Sequence, residues 1–306
     1  MFAFKKVILG LGLFLAASCS NNGERLSAWM KEENKIKILS TTSQIGDLAA
    51  EVGGERVHSW ILIDGGLDPH SYELVKGDDE KLIRADIVFY NGLGLEHGAS
   101  LSTHLRGNPH ALAVAEKIAQ TAPELILKRK GAVDPHLWMD VSLWKRGVGP
   151  VVEALSKTDP EGASYYRQRG DELEQKMDRI HDEIIEMMAQ IPAEKRYLVT
   201  SHDAFQYFAR SYLSGSAAPE GLAPDGQLSP VDIRRIIDFL VEHQISVIFP
   251  ESNVSRDSIA KIASAGKEMK IDVRISSEPL YGDEMGGLSY LEMMKKNAET
   301  ISRNLK

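Results

Sequence analysis

Residues 159–190 read DPEGASYYRQRGDELEQKMDRIHDEIIEMMAQ, and this stretch divides the chain. Asp159-Pro160-Glu161 opens a helix with proline in its first turn, where a missing N–H leaves no bond unmade. Leu173, Met177, Ile180, Ile184 and Met187 step by four and three, the spacing of one helical face. The pattern runs to Gln190, and Pro192 stops it. A helix of this length exceeds what a strand crossover needs. It reads as a spine joining two lobes.

On both sides of the spine, strand and helix patterns alternate. Before it come strands over Lys35–Ser40, Val57–Ile63, Asp86–Tyr90 and Ala111–Ala115. Helices are expected from Thr41-Thr42-Ser43 through Val52, over Asp78–Arg84, over Leu95–Leu105, and over Val141–Leu155 with a kink or break at Pro150. After the spine the alternation restarts, with strands over Arg196–Thr200, Ser246–Phe249 and Ile271–Ile275. Helices follow over Ala204–Tyr212, from Ser229-Pro230, over Ser255–Met269 and from Ser289, with a loop over Ser214–Gln227. Alternation of this kind predicts an α/β fold of two lobes, each a mostly parallel sheet flanked by helices, joined by one long rigid helix. The expected division is 35–158, 159–191 and 192–306. A chain of 306 residues that is 43% hydrophobic can bury cores of that size.

The N-terminus is read as a targeting segment. Lys5 and Lys6 precede an apolar run, Val7 to Ala17, that falls short of the ~20 residues of a membrane helix. It closes on Leu15-Ala16-Ala17-Ser18-Cys19, and Cys19 is the sole cysteine, so disulfides are excluded. The segment resembles a bacterial lipobox, with Ala16 where leucine is usual. Residues 1–19 are thus expected as a lipoprotein signal, Cys19 as the lipidated residue, and 20–34 as a tether. The net charge of −8, with 26% charged residues in no long block of one sign, argues against nucleic acid as a partner.

Asp-Pro-His occurs twice, as Asp68-Pro69-His70 and Asp134-Pro135-His136. Proline fixes its own φ and pushes the preceding residue into an extended conformation, so each tripeptide is a stiff bracket presenting a histidine. Ser201-His202 and Tyr281-Gly282-Asp283 follow strand patterns in the second half, and ligands in open α/β sheets gather beyond the carboxyl ends of strands. His70, His136, His202 and Asp283 are therefore the candidate ligands of one transition-metal ion. Three imidazoles and a carboxylate suit a first-row divalent metal, whereas magnesium or calcium would want mostly oxygen. Asp68, Asp134 and Glu251 are candidates to orient the histidines; turn stabilisation or helix capping is the other reading of each. His58, His104, His110, His181 and His243 are read as structural or solvated. Gly92-Leu93-Gly94-Leu95-Glu96-His97-Gly98 misses the dinucleotide pattern by one position, and P-loop, G-x-S-x-G and H-E-x-x-H motifs are absent.

Five segments carry a resemblance that spans nearly the whole mature chain. They are Asp68 to Glu73 (DPHSYE), Asn91 to Glu96 (NGLGLE), Asp134 to Asp140 (DPHLWMD), Thr200 to Phe208 (TSHDAFQYF) and Leu280 to Asp283 (LYGD). In this order they resemble the cluster A-I, or TroA-like, metal-binding lipoproteins of bacterial ABC importers for manganese, zinc and iron. The resemblance implies His70, His136, His202 and Asp283 as ligands, with the metal between the lobes. It also implies a monomer held extracytoplasmically by its lipid, which hands the ion to a permease driven by a separate ATPase. Lys128-Arg129-Lys130-Gly131 stands where zinc-specific members often carry a long His/Asp/Glu-rich loop, which tilts the expected cargo to manganese or iron over zinc. No enzymatic activity is expected. A metal-dependent hydrolase with Glu251 as base, or a surface adhesin with a structural metal, are the alternatives.

Overall fold

Strand β1 (Ile36–Ser40) forms where the alternation predicts it and becomes the middle of a parallel sheet. A computed structural model describes residues 22–129, 131–218, 221 and 229–306. Cys19, the rest of the expected signal segment and most of the tip of the Ser214–Gln227 loop lie outside the described residues. β1 pairs in parallel with β2 (Val57–Ile61) on one side and β3 (Ile87–Tyr90) on the other, and β3 pairs with β4 (Ala111–Ala113), giving the order β2-β1-β3-β4. Helices α2 (Ser43–Gly53), α3 (Asp78–Arg84), α4 (Ala99–Gly107) and α5 (Val114–Thr121) alternate with these strands.

The second half repeats the plan. β7 (Tyr197–Val199) pairs with β8 (Gly215–Ala217), and β9 (Val247–Ile248) with β10 (Arg274–Ile275), all in parallel. The Phe249 N–H donates to the Val199 carbonyl and ties the two pairs side by side. First strand beside second and third, with the fourth outside the third, is the same order in both halves. A two-residue antiparallel hairpin, β5 (Lys128–Arg129) with β6 (Ala132–Val133), precedes the second Asp-Pro-His.

The spine is α8 (Ala163–Ala189), 27 residues long, led in by a 3-10 turn at Pro160–Gly162. Tyr166, Gly170, Leu173, Met177, Ile184 and Met188 are its buried positions, while Ile180 and Met187 are partly buried beside them. Each fully buried apolar side chain contributes about 1.5–3 kcal/mol. This face packs on α2 and α7 (Val148–Thr158) of the first half and on α9 (Gln206–Tyr212) and α12 (Tyr290–Leu305) of the second. One apolar cluster therefore runs through both halves along the spine. α12 also reaches α2 directly, with the Tyr290 N–H donating to Asp47 and its hydroxyl to the Trp138 carbonyl. The second half is completed by α10 (Pro230–Glu242) and α11 (Asp257–Glu268).

Several local expectations need correction. The 141–158 stretch breaks at Lys145–Gly147, between α6 (Val141–Trp144) and α7, and Pro150 lies within the first turn of α7, where its missing N–H is harmless. Residues 95–98 are not helical, because the Glu96 carboxylate accepts from the Asn91 and Gly92 N–H groups and the Thr41 hydroxyl, which pulls the chain into a loop. The residues after Ala113 form a helix, and Gly215–Ala217 within the expected loop form a strand. Part of the stretch expected as a tether has regular structure. Residues 22–30 are helical (α1), Trp29 is fully buried, and its Nε1 donates to the His58 carbonyl at 2.9 Å.

Trp29→Ala is expected to destabilise the protein by about 3–5 kcal/mol, the cost of truncating a buried aromatic. A urea melt measures this, and an unchanged midpoint would show α1 to be dispensable.

Candidate metal centre

Each candidate side chain is delivered by backbone that the sequence stiffens locally. In the first bracket Asp68 accepts from the His70 N–H at 2.9 Å and from the Ser71 hydroxyl at 2.6 Å, closing a tight turn around Pro69. The loop is then clamped to α4, whose first N–H groups, on Ala99 and Ser100, donate to the Glu73 carboxylate at 2.6 and 2.8 Å. The second bracket leaves β6. Its Pro135 carbonyl accepts from the Asn91 amide at 3.0 Å, and its Asp134 carbonyl accepts from the Tyr207 hydroxyl at 2.9 Å.

His202 follows β7, with its carbonyl held by the Thr200 hydroxyl at 2.8 Å and its N–H by Glu251 at 2.8 Å. Glu251 stands just beyond β9 and forms a parallel bridge with Leu280, which carries the β9–β10 pairing towards Asp283. The Gly282 carbonyl, next to Asp283, accepts from Gln44 at 3.2 Å and from Trp138 Nε1 at 2.9 Å. A Cβ at position 282 would lie 2.6 Å from Glu251 Oε2, so glycine is needed for this approach.

The four side chains meet. His70 Nε2 lies 3.6 Å, His136 Nε2 3.5 Å and His202 Nε2 3.3 Å from oxygens of Asp283, and the first two nitrogens are 3.3 Å apart. All four donor atoms fall within 4.8 Å of one another. Tetrahedral donors bonded at about 2.1 Å to one ion stand roughly 3.4 Å apart, so these separations have the size of such a polyhedron's edges. The residues are sealed from solvent, His70 at 2%, His136 and His202 at 0% and Asp283 at 4% exposure. Neither Asp283 oxygen has a properly angled hydrogen bond among the described residues, and nor does His202 Nε2. Their lone pairs converge on a common centre. The set could hold one metal ion.

Electrostatics fit that assignment. His136 Nδ1 donates to Asp134 at 2.7 Å, and His202 Nδ1 faces Glu251 at 2.8 Å. A carboxylate at Nδ1 keeps the proton there, which leaves the Nε2 lone pair for an ion and raises ring basicity. Burial disfavours charge on His202, but Glu251 and Asp283 outweigh it and hold the imidazole well above its ordinary pKa. Burial likewise opposes ionisation of Asp283, yet His202 and His70 hold it well below the carboxylate range. The same two carboxylates, Glu251 and Asp283, thus favour positive charge on His202.

Of the residues named as orienting groups, Asp134 and Glu251 face histidine rings, whereas Asp68 bonds backbone N–H and a hydroxyl in its turn. Both Glu251 oxygens are turned to His202, Oε1 accepting from its N–H and Oε2 lying 2.8 Å from its Nδ1. Sequence reading assigned no role to Gln44, Trp138 or Asn91, although the last two lie in the DPHLWMD and NGLGLE segments; all three act by gripping carbonyls distant in sequence. Asp203 is buried against Arg129, and burial, aided by Asp134, pushes its carboxyl up to about 7 despite that arginine. His58, His104, His181 and His243 are engaged elsewhere, with Glu32, the Ser100 carbonyl, the Tyr212 hydroxyl and the Tyr197 ring.

The chain belongs to the family described as ZnuA, zinc-uptake complex component A, periplasmic, whose model matches residues 38–304. It is 34% identical to the manganese-binding lipoprotein MntA of Bacillus subtilis, over 92% of this chain and 93% of that protein. Its fold is similar to the crystal structure of Fe(III)-bound YtgA from Chlamydia trachomatis, with TM-score 0.84 and 34% identity over 88% of this chain and 97% of the other. It is also similar to the periplasmic zinc-binding protein TroA of Treponema pallidum, with TM-score 0.82 and 31% identity over 88% and 98%.

Asp134→Asn and Glu251→Gln should each weaken metal binding about 10–100-fold, as loss of a ligand's hydrogen-bonding partner does, while Asp68→Asn should cost less. Competition against a chelator measures all three. Equal losses across the series would contradict the distinction between ring and backbone contacts.

Proposed function

We propose that His70, His136, His202 and Asp283 bind one transition-metal ion as cargo, and that the protein delivers it to the permease of an ABC importer with a separate ATPase. The observation that carries this is the convergence of three imidazole nitrogens on one buried carboxylate at near-bonding polyhedral spacing. Four protein ligands close the coordination sphere, which suits capture and transport; catalytic sites keep an open position for water. Glu251, the candidate base of a hydrolase, instead faces the His202 ring. Manganese or iron is the proposed cargo, in line with manganese-binding MntA and Fe(III)-bound YtgA. Zinc should nonetheless bind at least as tightly in vitro, by the usual affinity order.

The first half supplies His70 and His136 and the second supplies His202 and Asp283, so the ion fixes one half against the other, and the permease would read that fixed arrangement. Among the described residues no helix is long and apolar enough to cross a membrane. Attachment is assigned to lipid on Cys19, with the monomeric protein on the extracytoplasmic side.

Calorimetric titration with manganese(II) should give one equivalent bound, and none in the His70→Ala/His136→Ala double variant. Undiminished binding in that variant would refute the site. The raised pKa of His202 sets the pH dependence. Below that pKa the ring carries a proton that the metal must displace, so binding should release about one proton and apparent affinity should rise about tenfold per pH unit. Titrations in buffers of different ionisation enthalpy test this. Binding that releases no proton around neutral pH would contradict it.

A further inference from the structure

The four donors are almost completely enclosed, so an ion arriving from water must exchange its hydration shell at some point on the rim. Among the described residues, His97 is the only histidine outside the set whose ring contacts one of the three site histidines. Its ring centroid lies 5.9 Å from that of His70 at an interplanar angle of 53°. Unlike the four, His97 is exposed. It faces solvent on one side and a buried ligand on the other.

Its placement is built into the fold. The His97 N–H is shared between the Leu95 carbonyl at 2.9 Å and the His70 carbonyl at 3.2 Å, and the second bond straps the 91–97 loop to the first bracket. The preceding residue, Glu96, anchors that loop through Thr41, Asn91 and Gly92. The following residue, Gly98, packs so closely on the Tyr72 carbonyl that a Cβ would collide with it. His97 Nδ1 lies 3.3 Å from the Gly94 carbonyl. A carbonyl only accepts, so Nδ1 carries the proton and the Nε2 lone pair remains available to a metal.

We propose that His97 is a transient rim ligand, exchanging one water of the incoming ion for its Nε2 and passing the ion to His70 as the buried set closes around it. This rests on the four-ligand reading above. A relay lowers the barrier in both directions. It therefore changes association and dissociation rates by the same factor and leaves the equilibrium constant alone, whereas a residue that shapes the final site changes the constant itself.

The test is stopped-flow binding of cobalt(II), followed by its visible absorption, to the full-length protein and to His97→Ala, His97→Gln and His97→Glu. The alanine and glutamine variants should bind and release about tenfold more slowly, roughly one ligand exchange's worth of barrier, with the same final spectrum and dissociation constant. His97→Glu, which restores a metal-binding atom, should recover most of the rate. Asp64→Asn, in the cleft of about 360 Å³ that is lined by Asp283 and Pro69 but not by His97, should behave as the parent. Rates within twofold of the parent for alanine, an altered dissociation constant, equal slowing by glutamate, or slowing by Asp64→Asn alone would each overturn the proposal. Failure of the parent to bind cobalt with a four-ligand spectrum would instead refute the underlying site.

Discussion

A carboxylate enclosed with three imidazoles, sealed from water, is the constraint on which the remainder of this structure depends. Burying such groups unpaired is costly, and here neither Asp283 oxygen finds a properly angled hydrogen-bond donor among the described residues. Only a cation at the centre satisfies all four at once. Within the protein itself the nearest compensation is charge on the His202 imidazole, whose pKa Glu251 and Asp283 hold well above its ordinary value. The fold must therefore force together groups that would otherwise be better solvated. Much of its hydrogen bonding near the site does that, with Gln44 and Trp138 gripping Gly282, Asn91 gripping Pro135, and Tyr207 gripping Asp134.

Three of those grips cross between halves. Gln44 and Trp138 come before the spine and hold a carbonyl from after it, and Tyr207 comes after the spine and holds one from before it. Together with the single apolar cluster along α8 and the return of α12 to α2, they couple the two sheets into one packed body. The repeated strand order places β7 and β9 side by side, which is why His202 and Glu251 meet beyond their ends. That position matches the general location of ligands in open α/β sheets.

Much of this was readable from the chain. The spine's periodicity is local and long enough to be unambiguous, and Asp-Pro-His marks its histidine because proline's effect on the backbone is also local. Features that arise from tertiary contacts were not readable. Helix α1 exists because Trp29 finds a slot beside His58, and the polar residues around it look like a linker. Residues 95–98 carry a helical pattern that the buried Glu96 overrides through three hydrogen bonds. Asp68 and Asp134 occupy identical tripeptides, yet only Asp134 reaches its histidine's ring, because what surrounds each bracket differs.

Anomalous diffraction from crystals of the manganese-loaded protein, recorded at the metal's absorption edge, would locate the ion itself. One peak per chain is expected, within about 2.3 Å of Nε2 of His70, His136 and His202 and of an Asp283 oxygen, given ordinary metal–ligand bond lengths. A peak elsewhere, or one lacking any of these four contacts, would contradict the four-ligand site.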